Sequence, residues 1–231
     1  MKGRVIAVAL ATAVLMMHVV ASAQQAERVA TSLSLRASDR SIVYGDRVRV
    51  LASLSGPGAG ETIAIERVAG GSSGDIGSCE TGQAGRCSIT TKPRGIATYR
   101  AVFAGAGSWD PSTSDPVTVR VRIAIVGELA RSYGRQGRYQ LYHEDRPVFY
   151  IVTIDPRRKG RPVVFDLEFN YGRGWRGGGT SRFRTAHDGT VRLYFEAGSL
   201  PRGRYRIRAA TDGGARLLDG RTLWSYFRVT A

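Results

Sequence analysis

The chain has 231 residues, with 34 lysines and arginines against 19 acids for a formal charge of +15, 42% hydrophobic residues, 29 glycines, eight prolines and two cysteines. That length holds one large or two small domains with real cores, and the apolar fraction excludes a disordered chain. Collagen, coiled coil, multi-pass membrane protein, disulfide-rich miniprotein and a four-thiolate zinc site are excluded as well.

The first 23 residues read as a signal peptide. Lys2 and Arg4 give a positive start, Val5 to Met17 is an apolar run, and Ala21-Ser22-Ala23 offers the small residues a signal peptidase accepts, which predicts cleavage after Ala23. An uncleaved anchor helix over Val5 to Ala23 is the competing reading; His18 and the small-residue end count against it. No cysteine follows the run and the chain ends in the strand-like Phe227 to Ala231, so a soluble secreted product with no transmembrane segment after cleavage is expected, in the periplasm, at the cell surface or outside the cell. In such a compartment Cys79 and Cys87, on either side of a Gly-containing bend, are expected to form one local disulfide.

Beyond residue 30 the apolar pattern has period 2. In residues 24–123 the inward sets are Leu33/Leu35, Val48/Val50/Ala52/Leu54, Ile63/Ile65, Tyr99/Ala101/Phe103 and Val117/Val119/Val121. In residues 124–231 they are Tyr139/Leu141, Val163/Phe165/Leu167/Phe169, Val191/Leu193/Phe195, Tyr205/Ile207/Ala209 and Leu223/Ser225/Phe227/Val229. Phe149 to Ile154 is apolar on both parities and is expected to be a central strand or to face the other domain. Six or seven strands per domain, with almost no helix, predict an all-β chain of two tandem antiparallel sandwiches with a seam between 123 and 136 and no long linker. A weak repeat supports the duplication: Pro93-Arg94-Gly95 precedes one strand pattern and Pro201-Arg202-Gly203 precedes another.

Val43-Tyr44-Gly45-Asp46-Arg47-Val48-Arg49-Val50, then Tyr99 to Gly105, Trp109 and Ser112-Thr113-Ser114, lie between residues 30 and 122. This stretch resembles a bacterial immunoglobulin-like repeat of secreted and cell-surface proteins; the second domain is similar by pattern only, through Gly203 to Ala209. Ala106 stands where many relatives carry an acid. The resemblance implies surface display, spacing or adhesion without catalysis. A surface protein, glycan or anionic envelope polymer would then be the partner, and not intracellular nucleic acid.

Charge divides unevenly: residues 24–122 carry 12 basic and nine acidic side chains, residues 123–231 carry 20 and ten. Arg204, Arg206 and Arg208 alternate with Tyr205, Ile207 and Ala209, which predicts a guanidinium row at about 7 Å spacing. Arg192 and Arg228 have the outward parity of their own strands and extend that row if their strands adjoin it. Such a row suits a polyanion; it suits equally a solvated face in which Asp166 and Glu168 pair with the arginines across the sheet. Trp175 in the Gly172–Gly179 run, read as a flexible hairpin loop, either folds onto the sandwich or is exposed as a sugar platform, whereas Trp109 and Trp224 read as core or junction residues. His143 and His187 sit in turn compositions, no nucleophile motif, metal-ligand spacing or phosphate loop is present, and no catalytic residue, metal or cofactor is expected.

Overall fold

The computed structural model describes residues 28–231, so the expected signal peptide lies outside the described residues. The strands are β1 (Ser32–Ala37), β2 (Ser41–Val43), β3 (Val48–Ser55), β4 (Thr62–Ala69), β5 (Ser72–Glu80), β6 (Arg86–Thr91), β7 (Ala97–Phe103), β8 (Ser112–Thr113) and β9 (Val117–Arg122). They continue as β10 (Ala124–Ala130), β11 (Gly134–Gln136), β12 (Tyr139–His143), β13 (Val148–Asp155), β14 (Pro162–Asn170), β15 (Arg176–Arg184), β16 (Thr190–Phe195), β17 (Gly203–Thr211), β18 (Gly220–Arg221) and β19 (Ser225–Thr230). A single 3₁₀ turn, Gly214–Arg216, is the one helical element among the described residues.

Strands β1 to β9 form a three-stranded sheet, β1-β3-β6, and a larger sheet, β2-β9-β7-β4-β5, with β8 on β7. Strands β10 to β19 repeat the plan as β10-β13-β16 and β11-β12-β19-β17-β14-β15, with β18 on β17. Pairing is antiparallel except for β2 with β9 and β12 with β19, which occupy the same place in each half. These are tandem Ig-like sandwiches, the second repeating the strand order of the first with β11 added at the edge of its larger sheet.

Alternation builds both cores. Val48, Val50, Ala52 and Leu54 of β3 are buried while Arg49 and Leu51 face water, and Tyr205, Ile207 and Ala209 of β17 are buried in the second sandwich. The same polar devices recur where ladder partners run out. Thr81 Oγ1 accepts the Glu61 N–H (3.0 Å) and donates to the Gly58 carbonyl (3.1 Å); Thr185 Oγ1 accepts the Arg161 N–H (3.0 Å) and donates to the Arg158 carbonyl. Ser114 Oγ and Thr222 Oγ1 each accept a β-strand N–H at 2.9 Å, from Ala101 and Ala209. Each hydroxyl removes the cost of a buried unpaired amide.

Ile123 alone separates β9 from β10. The loop before β18 folds back across it: Arg216 carbonyl accepts the Ile96 N–H (2.8 Å), Leu218 N–H donates to Val121 (2.8 Å), and Ile123 N–H donates to Leu218 (3.0 Å). Ile123 and Leu217 are buried there, so apolar packing runs from one sandwich into the next. A Cβ on Gly95 would lie 2.9 Å from the Arg216 carbonyl oxygen, which is why only glycine fits.

Several expectations are corrected. On β12 the buried residue is Tyr142, not Tyr139 or Leu141: parallel pairing sets Tyr142 beside Val229, and its hydroxyl donates to the Ala130 carbonyl at 2.9 Å. Leu223 is 91% exposed because β19 starts two residues later. The Gly172–Gly179 run is not a hairpin loop throughout; β15 starts at Arg176 and passes through Gly177–Gly179, with a bulge against Leu167/Glu168. Pairing with β14 supplies the ladder that glycine propensity disfavours, and a Cβ on Gly178 would press on Leu167 at 3.3 Å. Strands β5 and β10 are polar or irregular in pattern and were not among the inward sets. Phe149 to Ile154 lies in β13, central between β10 and β16, with Phe149 covered by Tyr194 and by Arg131, 4.5 Å from its ring. Cys79 in β5 and Cys87 in β6 are disulfide-bonded, tying edge strands of the two facing sheets.

Burial pushes the Tyr142 hydroxyl up to about 12, and those of Tyr99 and Tyr150 up as well. A phenol whose folded-state value is raised keeps its full stabilising share below the unfolded value and loses it as pH climbs through the folded one. Stability is therefore expected to fall from about pH 10 upward, toward about pH 12. The midpoint of urea unfolding across that range measures it; a flat profile would contradict the burial of these hydroxyls.

Candidate functional site

The outward face of the β11-β12-β19-β17-β14-β15 sheet gathers most of the predicted arginines. β17 lies between β14 and β19, with Arg206 opposite Glu168, Arg208 opposite Asp166, and Arg204 opposite Arg228. Arg206 Nε donates to Glu168 Oε2 at 2.8 Å and Arg208 Nε to Asp166 Oδ2 at 2.9 Å. In the first sandwich Arg100 and Glu66 occupy the place of Arg208 and Asp166, at 2.7 Å. The expected cross-sheet pairing by Asp166 and Glu168 is thus present for two of the three β17 arginines.

Aromatic rings cover the same guanidinium groups. Arg206 sits 4.6 Å from the Trp175 ring and 4.4 Å from the Trp224 ring, and Arg208 sits 4.2 Å from the Trp224 ring. Trp175 meets Tyr226 edge-on at 5.8 Å. Arg138 lies 4.0 Å over Tyr226 and 5.4 Å over Tyr139, and Arg204 lies 5.8 Å from Tyr139. Each such contact is worth about 0.5–1 kcal/mol at a surface, so the stack holds its members in place more than it stabilises the fold. Trp224 is therefore an outer-face residue, on the outward parity it shares with Tyr226 and Arg228, and not a core or junction residue. Trp175 folds onto the sheet, as one of its two readings required.

The structure does not bring Arg192 to this face. It lies on β16 opposite Ile151, in the other sheet of the sandwich, where its outward parity points it away from β17. Arg228 does adjoin the row, and its Nη1 donates to Gln136 Oε1 at 3.1 Å. Residues the sequence reading missed are Gln136, Arg138 and Tyr139, which surround a recess of about 270 Å³ together with Arg204 and Arg228. Their only signal was the basic turn between β11 and β12; that β12 lies beside β19 is a non-local pairing no local pattern carries.

Among the described residues Arg138, Arg204 and Arg228 join no ion pair, in contrast to Arg206 and Arg208. The histidines lie elsewhere. His143 ends β12, stacks on Tyr133 at 4.0 Å and shares a 2.7 Å hydrogen bond through Nδ1 with the Ala231 oxygen; His187 lies in the Ala186–Gly189 turn. Asp166 and Glu168, the nearest same-face carboxylate pair, are each engaged by an arginine.

No protein-family model matches the chain, and no curated protein matches it. Among solved structures it is similar to the D0-D1 domain of intimin, at 13% identity and a TM-score of 0.32, covering 84% of this chain and 97% of that one. A tetra-tandem repeat from the extending region of a large adhesion protein gives 14% identity and 0.36, covering 87% of this chain and 49% of that one. A Salmonella alpha-2-macroglobulin variant gives 12% and 0.32, covering 86% and 17%. Likeness at this level carries no argument about the chain, whose strand order stands on its own pairing.

Proposed function

We propose that this protein is an exported, non-catalytic Ig-like module of the bacterial envelope or extracellular space, with a structural or adhesive role. Residues 1–23 act as a signal peptide, and residues 24–123 and 124–231 are its two units. The observation that carries this reading is the same sandwich built twice and joined at Ile123 with no linker, the docked loop at Leu217–Leu218 holding one unit against the next. A module of this kind presents loops and sheet faces at a set spacing, which suits display or adhesion. The Cys79–Cys87 bridge accords with an oxidising compartment.

Expression with the native leader in a bacterial host tests export: mass spectrometry should find Gln24 as the new N-terminus and both thiols oxidised. Beads coated with residues 24–231 should be retained on washed bacterial envelopes. A cytoplasmic product with free thiols, or retention no better than that of an unrelated protein of equal charge, would overturn the proposal.

A second reading, a receptor for an anionic polymer or glycan, draws support from Arg138, Arg204 and Arg228, which border one recess of the outer sheet face and, among the described residues, join no ion pair.

A further inference from the structure

The acidic row that neutralises β17 stops one place short. Along β14, Asp166 faces Arg208 and Glu168 faces Arg206, but the next outward position, opposite Arg204, holds Asn170, the only asparagine in the chain. On its other side Arg204 is directly opposite Arg228. Two like charges opposed on a sheet destabilise it, and among the described residues no Asp or Glu pairs with either. The recess bordered by Arg138, Tyr139 and Gln136 opens at this point, and a second recess of about 510 Å³ shares Arg204 and Arg228 with it. The two form one groove with arginines in the middle. The outer part is lined by the hydrogen-bonding groups of Asn170, the half-exposed Tyr171 and Thr230, with Arg202, itself paired with Glu144, and Ala231 beside them.

We propose that this groove binds an acidic polysaccharide, its carboxylate or sulfate groups held by Arg138, Arg204 and Arg228 and its hydroxyls by Asn170 and Tyr171. The inference rests on the anionic-polymer reading and assigns it a site. Guanidinium forks match oxyanions in two parallel hydrogen bonds, and the guanidinium groups of Arg138 and Arg204 are already held against the rings of Tyr226 and Tyr139. Nucleic acid is the poorer occupant. Single-strand binding relies on open aromatic faces, and Trp175, Trp224 and Tyr226 are each capped by an arginine. A bare phosphate chain would leave the amide of Asn170 and the hydroxyl of Tyr171 unused.

Asn170→Asp completes the acidic row and is the decisive variant. Its Oδ1 can still accept the Gly172 N–H (2.7 Å in the native protein), so the loop is kept and the new carboxylate faces Arg204. Binding of a galacturonic-acid hexamer and of a heparin hexasaccharide to residues 24–231 would be followed by calorimetry at about 50 mM salt and again at about 200 mM. Asn170→Asp should weaken both at least about tenfold while the melting temperature holds or rises; Arg204→Gln with Arg228→Gln should weaken them as much and flatten the salt dependence. Arg182→Gln with Arg184→Gln, on exposed β15, removes the same charge and should change affinity by less than about twofold. Equal losses from the two arginine pairs, unchanged affinity in Asn170→Asp, tighter binding of oligo-dT or polyphosphate than of either saccharide, or no saccharide binding would each overturn the site. A protein that is exported and retained on envelopes yet fails these measurements loses the groove and keeps the adhesive role.

Discussion

Phe227→Ala is expected to destabilise the second sandwich by about 3–5 kcal/mol, the range for deleting a fully buried aromatic side chain. Phe227 has no exposed surface and lies on β19, between β12 and β17. Tyr205 stacks on it at 5.0 Å and 14°, Tyr142 meets it edge-on at 5.9 Å, and Phe195 reaches it at 6.5 Å from the facing sheet. The rings around it are anchored: Tyr205 by its hydroxyl to the Pro201 carbonyl (2.6 Å), Tyr142 to Ala130. They cannot collapse into the vacated volume without losing those bonds, which places the cost at the upper end. In a domain of about 100 residues each kcal/mol moves the melting point by about 4–8 °C, so calorimetry should resolve an early transition for the second sandwich ahead of the first. Phe227→Leu, which refills most of the space, should cost less than half as much. A loss under about 1 kcal/mol for the alanine variant would mean that the four rings do not form the centre of this core.

Removing the Cys79–Cys87 bridge is expected to cost about 2–3 kcal/mol, the chain-entropy value for closing a loop of this length, and only in the first sandwich. The two cysteines lie eight residues apart, so the constraint on the unfolded chain is modest. In the folded state the bridge has a further role, because β5 is the free edge of the larger sheet and β6 the edge of the smaller one. Without it, β5 is held by β4 alone, across a bulge at Ile65/Glu66. The double variant Cys79→Ser, Cys87→Ser should therefore lower the first melting transition, increase amide exchange along Ser72–Glu80 before the rest, and leave the second transition where it was. Uniform loss of protection across both sandwiches would show that the bridge supports more than its own edge.

How the face around β17 came to be half legible is instructive. The outward parity of Arg204, Arg206 and Arg208 and the partnership of two of them with Asp166 and Glu168 follow from alternation and from adjacent strands of opposite sign. Arg192 shows the limit: its parity was right and its sheet was not, since period 2 says which way a side chain points relative to its own strand and nothing about which sheet that strand joins. Tyr142 was misplaced because its strand is positioned by parallel pairing with the distant β19, and Trp224 because alternation gives its outward parity but not the arginines that cover it there.

The amino-acid order alone determined that this protein is all-β, that its inward residues run from Leu33 to Val121 as found, and that Cys79 and Cys87 bond to one another, because side-chain alternation and short chain separation are local properties. Only the tertiary structure decided that the same strand order is used twice, that Leu217 and Leu218 return to seal the joint at Ile123, and that Arg138 meets Arg204 and Arg228 beside an acidic row ending at Asn170. Those depend on which distant strands pair, and pairing is chosen by burial summed over a whole sandwich, a quantity no single segment contains.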